Sequence, residues 1–283
     1  MDKIDFNISI VGIGLIGGSY AMSLKELSLG KIYGIDIDEK ALEDAETMGI
    51  IDKGYVSPEI PLKDSDLVII CLYPKSVKKF VMDNIDNFKT GAIITDVTGV
   101  KTKILDEINY GLREDLDFIF GHPMAGREEK GLKFSSKEVF KGANYIITPT
   151  NRNKCENIKL IEDIIKKIGF KNIMTVTPEE HDKIISFTSQ LPHVIAVSLV
   201  NSNNLDFDIG LFTGDSYREL TRIAQINSEL WTELFIENKI NLIKDIEIFE
   251  ENIKKFKEAI IKEDREMLIK SMDNARKRRK EMS

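Results

Sequence analysis

Short apolar runs alternate with amphipathic stretches through the first 176 residues, and this alternation is the main structural signal in the chain. Ile8–Val11 is an apolar strand that gives way to Leu15–Leu27, a helical stretch with no proline. The same alternation continues with a strand at Lys31–Ile37, a helix at Glu39–Met48, and an unbroken apolar strand at Asp66–Leu72. A helix can start at Pro74, since proline is tolerated in a first turn. Further strands are predicted at Ala92–Asp96, Asp117–Gly121, Asn144–Thr148 and Asn172–Val176, with a helix at Lys154–Ile168 before the last. Runs that are apolar at every position suit strands buried on both faces. Strand and helix in turn predict an α/β fold, a Rossmann-type doubly wound and mostly parallel sheet.

From Thr177 the period becomes helical, and no second strand series follows. Thr177-Pro178-Glu179-Glu180 reads as a helix start, with threonine capping, proline in the first position and acids in the first turn. Asn227–Phe249, Glu250–Ile261 and Asp264–Lys280 read as later helices, with a loop-rich interruption at Asn201–Ser216. The expected division is therefore a dinucleotide-binding domain over 1–176 and an all-helical domain over 177–283.

The first strand runs straight into Gly12, Gly14 and Gly17, a GxGxxG between strand and helix. In that context the first glycine permits a tight turn, the second lets backbone approach a pyrophosphate, and the third lets helix pack on strand. The helix N-terminus, with Leu15 and Ile16 in its first turn, then faces the phosphates. Asp36 stands at the end of the second strand, about twenty residues beyond the last glycine, where a carboxylate accepts from ribose hydroxyls. No cation follows until Lys40, so NAD is expected over NADP.

With 283 residues and a formal charge of -7, the chain has room for two domains and no general affinity for nucleic acid or acidic membrane. The basic run Arg276–Lys280 suits a helix C-terminus. Cys71 and Cys155 show no zinc spacing and suit reduced thiols. The polar N-terminus carries no signal-peptide pattern, and the expectation is a cytoplasmic protein without a membrane span or a metal.

Ligands of open α/β sheets lie beyond the carboxyl ends of the strands. The segments there are Tyr73-Pro74, Asp96–Lys101 and Gly121-His122-Pro123-Met124-Ala125-Gly126. His122 alone among these titrates near neutrality and could take a proton from a substrate hydroxyl; a histidine satisfied by backbone is the equal alternative. Arg222 lies among residues that would otherwise make a buried helical face, so its partner is Glu219 or a ligand. His181 and Trp231 read as structural.

The ordered set Gly12–Ser19 with Asp36, Asp96–Lys101, Gly121–Gly126 with Glu128, His181-Asp182, Leu191-Pro192-His193 and Thr221–Ala224 with Trp231 resembles the prephenate and arogenate dehydrogenases of tyrosine biosynthesis. All three histidines fall inside these motifs. The resemblance implies NAD-dependent oxidative decarboxylation of prephenate to 4-hydroxyphenylpyruvate by a homodimer, with arogenate dehydrogenase as the alternative. A silent NAD-sensing protein is a further alternative, which His122 and Arg222 argue against. By the same resemblance His122 acts on the ring hydroxyl, Arg222 holds a carboxylate, His193 binds the pyruvyl side chain, and Glu128 forms an ionic gate. Gly99 stands where the family often has a serine near the catalytic histidine, and Thr98 is expected as the catalytic hydroxyl in its place. Gln190 replaces a frequent histidine among the substrate contacts, and Glu219 a frequent aspartate. Tyr73, Pro74 and Thr98 join the glycine loop as expected cofactor contacts.

Overall fold

Eight strands form one sheet in the order β3-β2-β1-β4-β5-β6-β7-β8. The computed structural model describes residues 6–126, 129–207 and 209–282. The strands are β1 (Ile8–Val11), β2 (Ile32–Ile35), β3 (Lys53–Tyr55), β4 (Leu67–Ile70), β5 (Ile93–Asp96), β6 (Asp117–Met124), β7 (Asn144–Thr148) and β8 (Asn172–Thr175). All neighbours are parallel except β6 and β7. The fold is Rossmann-type, as the alternation predicts.

Side chains of a strand alternate between faces, and the core divides accordingly. Ile8, Ile10, Leu67 and Ile69 pack in one cluster, whereas Val11, Val68 and Ile70 pack in the other. Helices cover both faces, so apolar residues are favoured on both sides of the central strands, which explains the unalternating runs.

Three features depart from the sequence reading. The strand predicted at Asp117–Gly121 continues to Met124 because its second half leaves β5 and pairs antiparallel with β7, with His122 opposite Ile146. The short edge strand Lys53–Tyr55 has too few apolar residues to announce itself. The helix expected over Asn227–Phe249 is two, Ser228–Glu237 and Lys239–Ile261, and the expected break after Phe249 is absent.

The chain forms two compact units, Met1–Asn238 and Lys239–Ser283. The first holds the sheet and the helical run Pro178–Asn201. Thr177 caps that run in a complete capping box with Glu180. Its middle, Ser186–Gln190, is a π-helical turn. By length and composition alone this run could cross a membrane, but His181, Asp182, Ser186 and Gln190 are buried on its inner side. The second unit comprises helices Lys239–Ile261 and Arg265–Glu281, the latter capped by Asp264 and basic in its last turn.

Candidate functional site

Strand order reverses at β1, whose neighbours β2 and β4 lead away in opposite directions, and a cleft opens beyond the carboxyl ends of β1 and β4. Gly12 has φ +89°, and a side-chain carbon there would lie 2.7 Å from the Cys71 carbonyl oxygen. At Gly17 such a carbon would lie 1.9 Å from the Gly12 carbonyl oxygen. Both glycines are thus required by the backbone. Gly14 differs, because nothing lies within 4 Å of its missing side chain. It precedes helix Leu15–Leu27 without a side-chain cap, so the first-turn N–H groups of Leu15, Ile16 and Gly17 have no partner inside the helix. Asp36 is held against the loop by the Ile13 N–H at 2.6 Å and the Asp38 N–H at 3.0 Å. An open glycine, an uncapped helix start and a fixed carboxylate fit a dinucleotide.

The cleft encloses about 570 Å³. Its walls include Gly14, Leu15, Ile16, Gly17, Tyr73, Pro74, Thr98, His122, Gln190, His193, Arg222 and Trp231. Gly12 lies beneath the loop and Asp36 outside this lining. Tyr73 is tied by its hydroxyl to Asn227, and Pro74 opens helix Pro74–Asp83 in the first position. His193 Nδ1 lies 2.8 Å from the Ser189 carbonyl oxygen, and its ring stacks on Trp231 with centroids 3.6 Å apart. The tryptophan is therefore part of the cleft wall as well as a packed aromatic.

His122 is held from below by a buried ion pair. Asp96 and Lys101 are both fully buried, with Lys101 Nζ 2.7 Å from Asp96 Oδ2. Lys101 Nζ also donates to the Gly121 carbonyl at 2.7 Å, and the Gly121 N–H donates to Asp96 Oδ1 at 3.1 Å. The pair therefore grips both backbone polar groups of Gly121, the residue before His122. Burial lowers the Lys101 pKa from its ordinary value despite Asp96. Burial, with His181 and Lys101 nearby, holds His122 well below the usual imidazole range.

Behind His122, its Nδ1 lies 2.9 Å from His181 Nε2, and His181 Nδ1 lies 2.8 Å from Asp182 Oδ1. His181 also titrates below its usual value, because burial outweighs the pull of Asp182. Reading His181 as structural misses this contact. A histidine and aspartate in the first two turns of a capped helix is its only local signal, since the partner lies 59 residues away.

Other expectations need correction. The Thr98 hydroxyl contacts Asp96 and the Val100 carbonyl, not His122, because its segment turns inward toward the buried ion pair. It is a cleft wall and a support rather than a substitute for the missing serine. Gln190 reaches the cleft, but its amide donates to the Leu234 carbonyl at 3.1 Å and accepts from Asn238 at 2.9 Å. Arg222 is exposed at the cleft rather than on a buried face, since helix Asp215–Thr221 is short and yields to a 3-10 turn at Arg222–Ala224. Glu128 lies outside the described residues. Nearby Glu129 and Lys130 line the mouth, and Lys130 Nζ lies 4.0 Å from Glu229.

A glycine loop at the switch point of a parallel sheet, facing an imidazole of depressed pKa across one cleft, defines a dinucleotide-dependent oxidoreductase. The chain belongs to the prephenate dehydrogenase family, whose "Prephenate dehydrogenase, nucleotide-binding domain" matches residues 20–174 and "Prephenate dehydrogenase, dimerization domain" residues 177–274. It is 29% identical to prephenate dehydrogenase of Bacillus subtilis over 98% of this chain and 76% of that protein. With prephenate dehydrogenase of Lactococcus lactis the identity is 30%, over 97% of this chain and 77% of the other. The crystal structure of A. aeolicus prephenate dehydrogenase in complex with hydroxyphenyl propionate and NAD+ superposes with a TM-score of 0.89 at 31% identity, covering 98% of each chain.

Proposed function

We propose that the protein is an NAD-dependent prephenate dehydrogenase, oxidising and decarboxylating prephenate to 4-hydroxyphenylpyruvate, and that His122 is its general base. The observation that carries this is one cleft holding the open Gly14 loop, His122 and the Arg222–His193 wall. Gly12, Gly14, Leu15, Ile16 and Gly17 would hold the pyrophosphate, Asp36 the ribose hydroxyls, and Tyr73, Pro74 and Thr98 the nicotinamide side. Bound NAD supplies the acceptor for the hydrogen on the carbinol carbon.

His122 Nε2 takes the proton of the ring hydroxyl as that carbon is oxidised. Arg222 and His193 anchor carboxylate and pyruvyl groups, so the ring is presented in one orientation. Loss of the ring carboxylate as carbon dioxide then aromatises the ring, and the phenolate formed recovers the proton from His122. Residues 1–176 carry the cofactor in this reading, and residues 177–283 carry substrate contacts and a homodimer interface. Ile184, Phe187, Leu199 and Val200, exposed along the helical run, are apolar surface suited to that interface. A cytoplasmic location is part of this proposal.

Following nicotinamide reduction with prephenate or arogenate, each with NAD or NADP, tests the reading. NAD with prephenate is expected to be the productive pair; a preference for arogenate would move the assignment to the sister activity. His122→Asn should lower kcat by about 10²- to 10⁴-fold with prephenate KM little changed. An unchanged kcat would remove His122 from the reaction.

A further inference from the structure

The hydrogen bonds behind His122 leave one consistent arrangement of protons. Asp182 accepts the backbone N–H of Lys101 at 2.8 Å and of Thr102 at 2.9 Å, at the start of helix Thr102–Asn109. Burial opposes its charge, but the His181 and Thr102 donors outweigh that and keep its pKa below the ordinary carboxylate value. A carboxylate can only accept, so the hydrogen between it and His181 belongs to His181 Nδ1. A neutral imidazole with hydrogen on Nδ1 has its lone pair on Nε2. That lone pair can only accept, so the hydrogen of the 2.9 Å contact belongs to His122 Nδ1. The lone pair of His122 is then on Nε2, the atom 3.7 Å from where a side-chain carbon on Gly99 would stand.

We propose that Asp182 and His181 are positioning residues that lock His122 in the tautomer whose Nε2 is free to accept the substrate proton. His181 is fully buried and Asp182 nearly so, so both contacts are shielded from bulk solvent. The charges around the relay are Asp182 on the helix of His181, Lys101 before helix Thr102–Asn109, and Asp96 at the end of β5. With Gly99 bringing no hydroxyl, orientation of the base comes from the side away from the cleft. This inference rests on His122 as the base.

Asp182→Asn provides the test: Oδ1 is shared by the Lys101 N–H and His181 Nδ1 while Oδ2 takes the Thr102 N–H, so an amide that keeps its oxygen on Thr102 sets its nitrogen, a donor, against His181 and gives up the Lys101 bond. The order of protons then reverses, and His122 carries hydrogen on Nε2. We expect kcat to fall by about 10²- to 10⁴-fold, with KM for prephenate and NAD within about threefold. The chain has three histidines, so ¹⁵N-histidine NMR can follow each ring, with His122→Asn removing one set of signals for assignment. His122 should carry its proton on Nδ1 in the wild type and on Nε2 in Asp182→Asn. Should Asp182→Asn fail to fold, His181→Gln, whose carbonyl can still accept from His122, should retain at least about tenfold more kcat than His181→Leu.

A wild-type His122 protonated on Nε2, a doubly protonated His181, a kcat for Asp182→Asn within threefold of wild type, or equal rates for His181→Gln and His181→Leu would each overturn the proposal. An inactive His122→Asn beside any of these results would leave the base in place and remove only the relay. A fully active His122→Asn would instead remove the base itself.

Discussion

The glycines of the first loop differ in what each excludes, and two substitutions separate the reasons. Gly17→Ala drives a methyl against the Gly12 carbonyl, a contact of 1.9 Å that backbone must yield to. It should cost about 1–3 kcal/mol in denaturant unfolding as well as cofactor binding. Gly14→Ala meets nothing within 4 Å, so stability should stay within about 1 kcal/mol while the NAD Kd rises by about tenfold or more. Equal losses of stability in the two variants would refute this division. The backbone demands on Gly12 and Gly17 were legible in the sequence because they are set by neighbours along the chain, and the strand-end positions of Asp36 and His122 were legible for the same reason. Thr98, Gln190 and His181 were not, because what their polar atoms meet is decided by folding; Asp182, for instance, accepts from Lys101 across 81 positions.

Among elements, β6 matters most. Its first half is clamped to β5, its second half to β7, and the Asp96–Lys101 pair grips Gly121 between them. Lys101→Met should leave Asp96 charged and unpaired in the core, at a cost of about 3–5 kcal/mol in chemical denaturation. Adding Asp96→Asn should restore part of that loss; a single variant as stable as wild type would show the pair to be dispensable. Strand positions were readable from uninterrupted apolar runs, as in β4, and the Thr177 cap from its residue types. The length of β6 was not, since His122-Pro123 looks like loop until β7 supplies a partner. Nor was the break at Asn238, whose buried amide donates to the Asp182 carbonyl and to Gln190, a reason for ending a helix that no local pattern reveals.

For the whole molecule, the two imidazoles of depressed pKa tie folding to acidity. An unfolded histidine titrates near 6.5, whereas His122 and His181 in the folded chain resist protonation below that. Above about pH 6.5 both states are neutral and the contribution is whole. As pH falls below it, the unfolded chain binds protons that the native one refuses, and stability declines. The lowered pKa of Asp182 adds a further loss only below about pH 4. Urea midpoints should therefore drop between pH 7.5 and 5.5, less so in a His122→Asn, His181→Gln double variant. A wild-type midpoint that holds or rises across that interval would contradict the exclusion of protons. For the same reason, the acid limb of kcat/KM should lie below pH 6.5.

The wide turn at Ser186–Gln190 gives the spacing along Pro178–Asn201 a meaning that counting helical turns would miss. Each residue of an ordinary helix advances the direction of its side chains by about 100°. A deletion that tightened this turn would swing everything beyond it by that angle, carrying His193 off the indole while His181 kept its bearing. The number of residues between those two rings thus fixes where each contact falls as firmly as the rings themselves do.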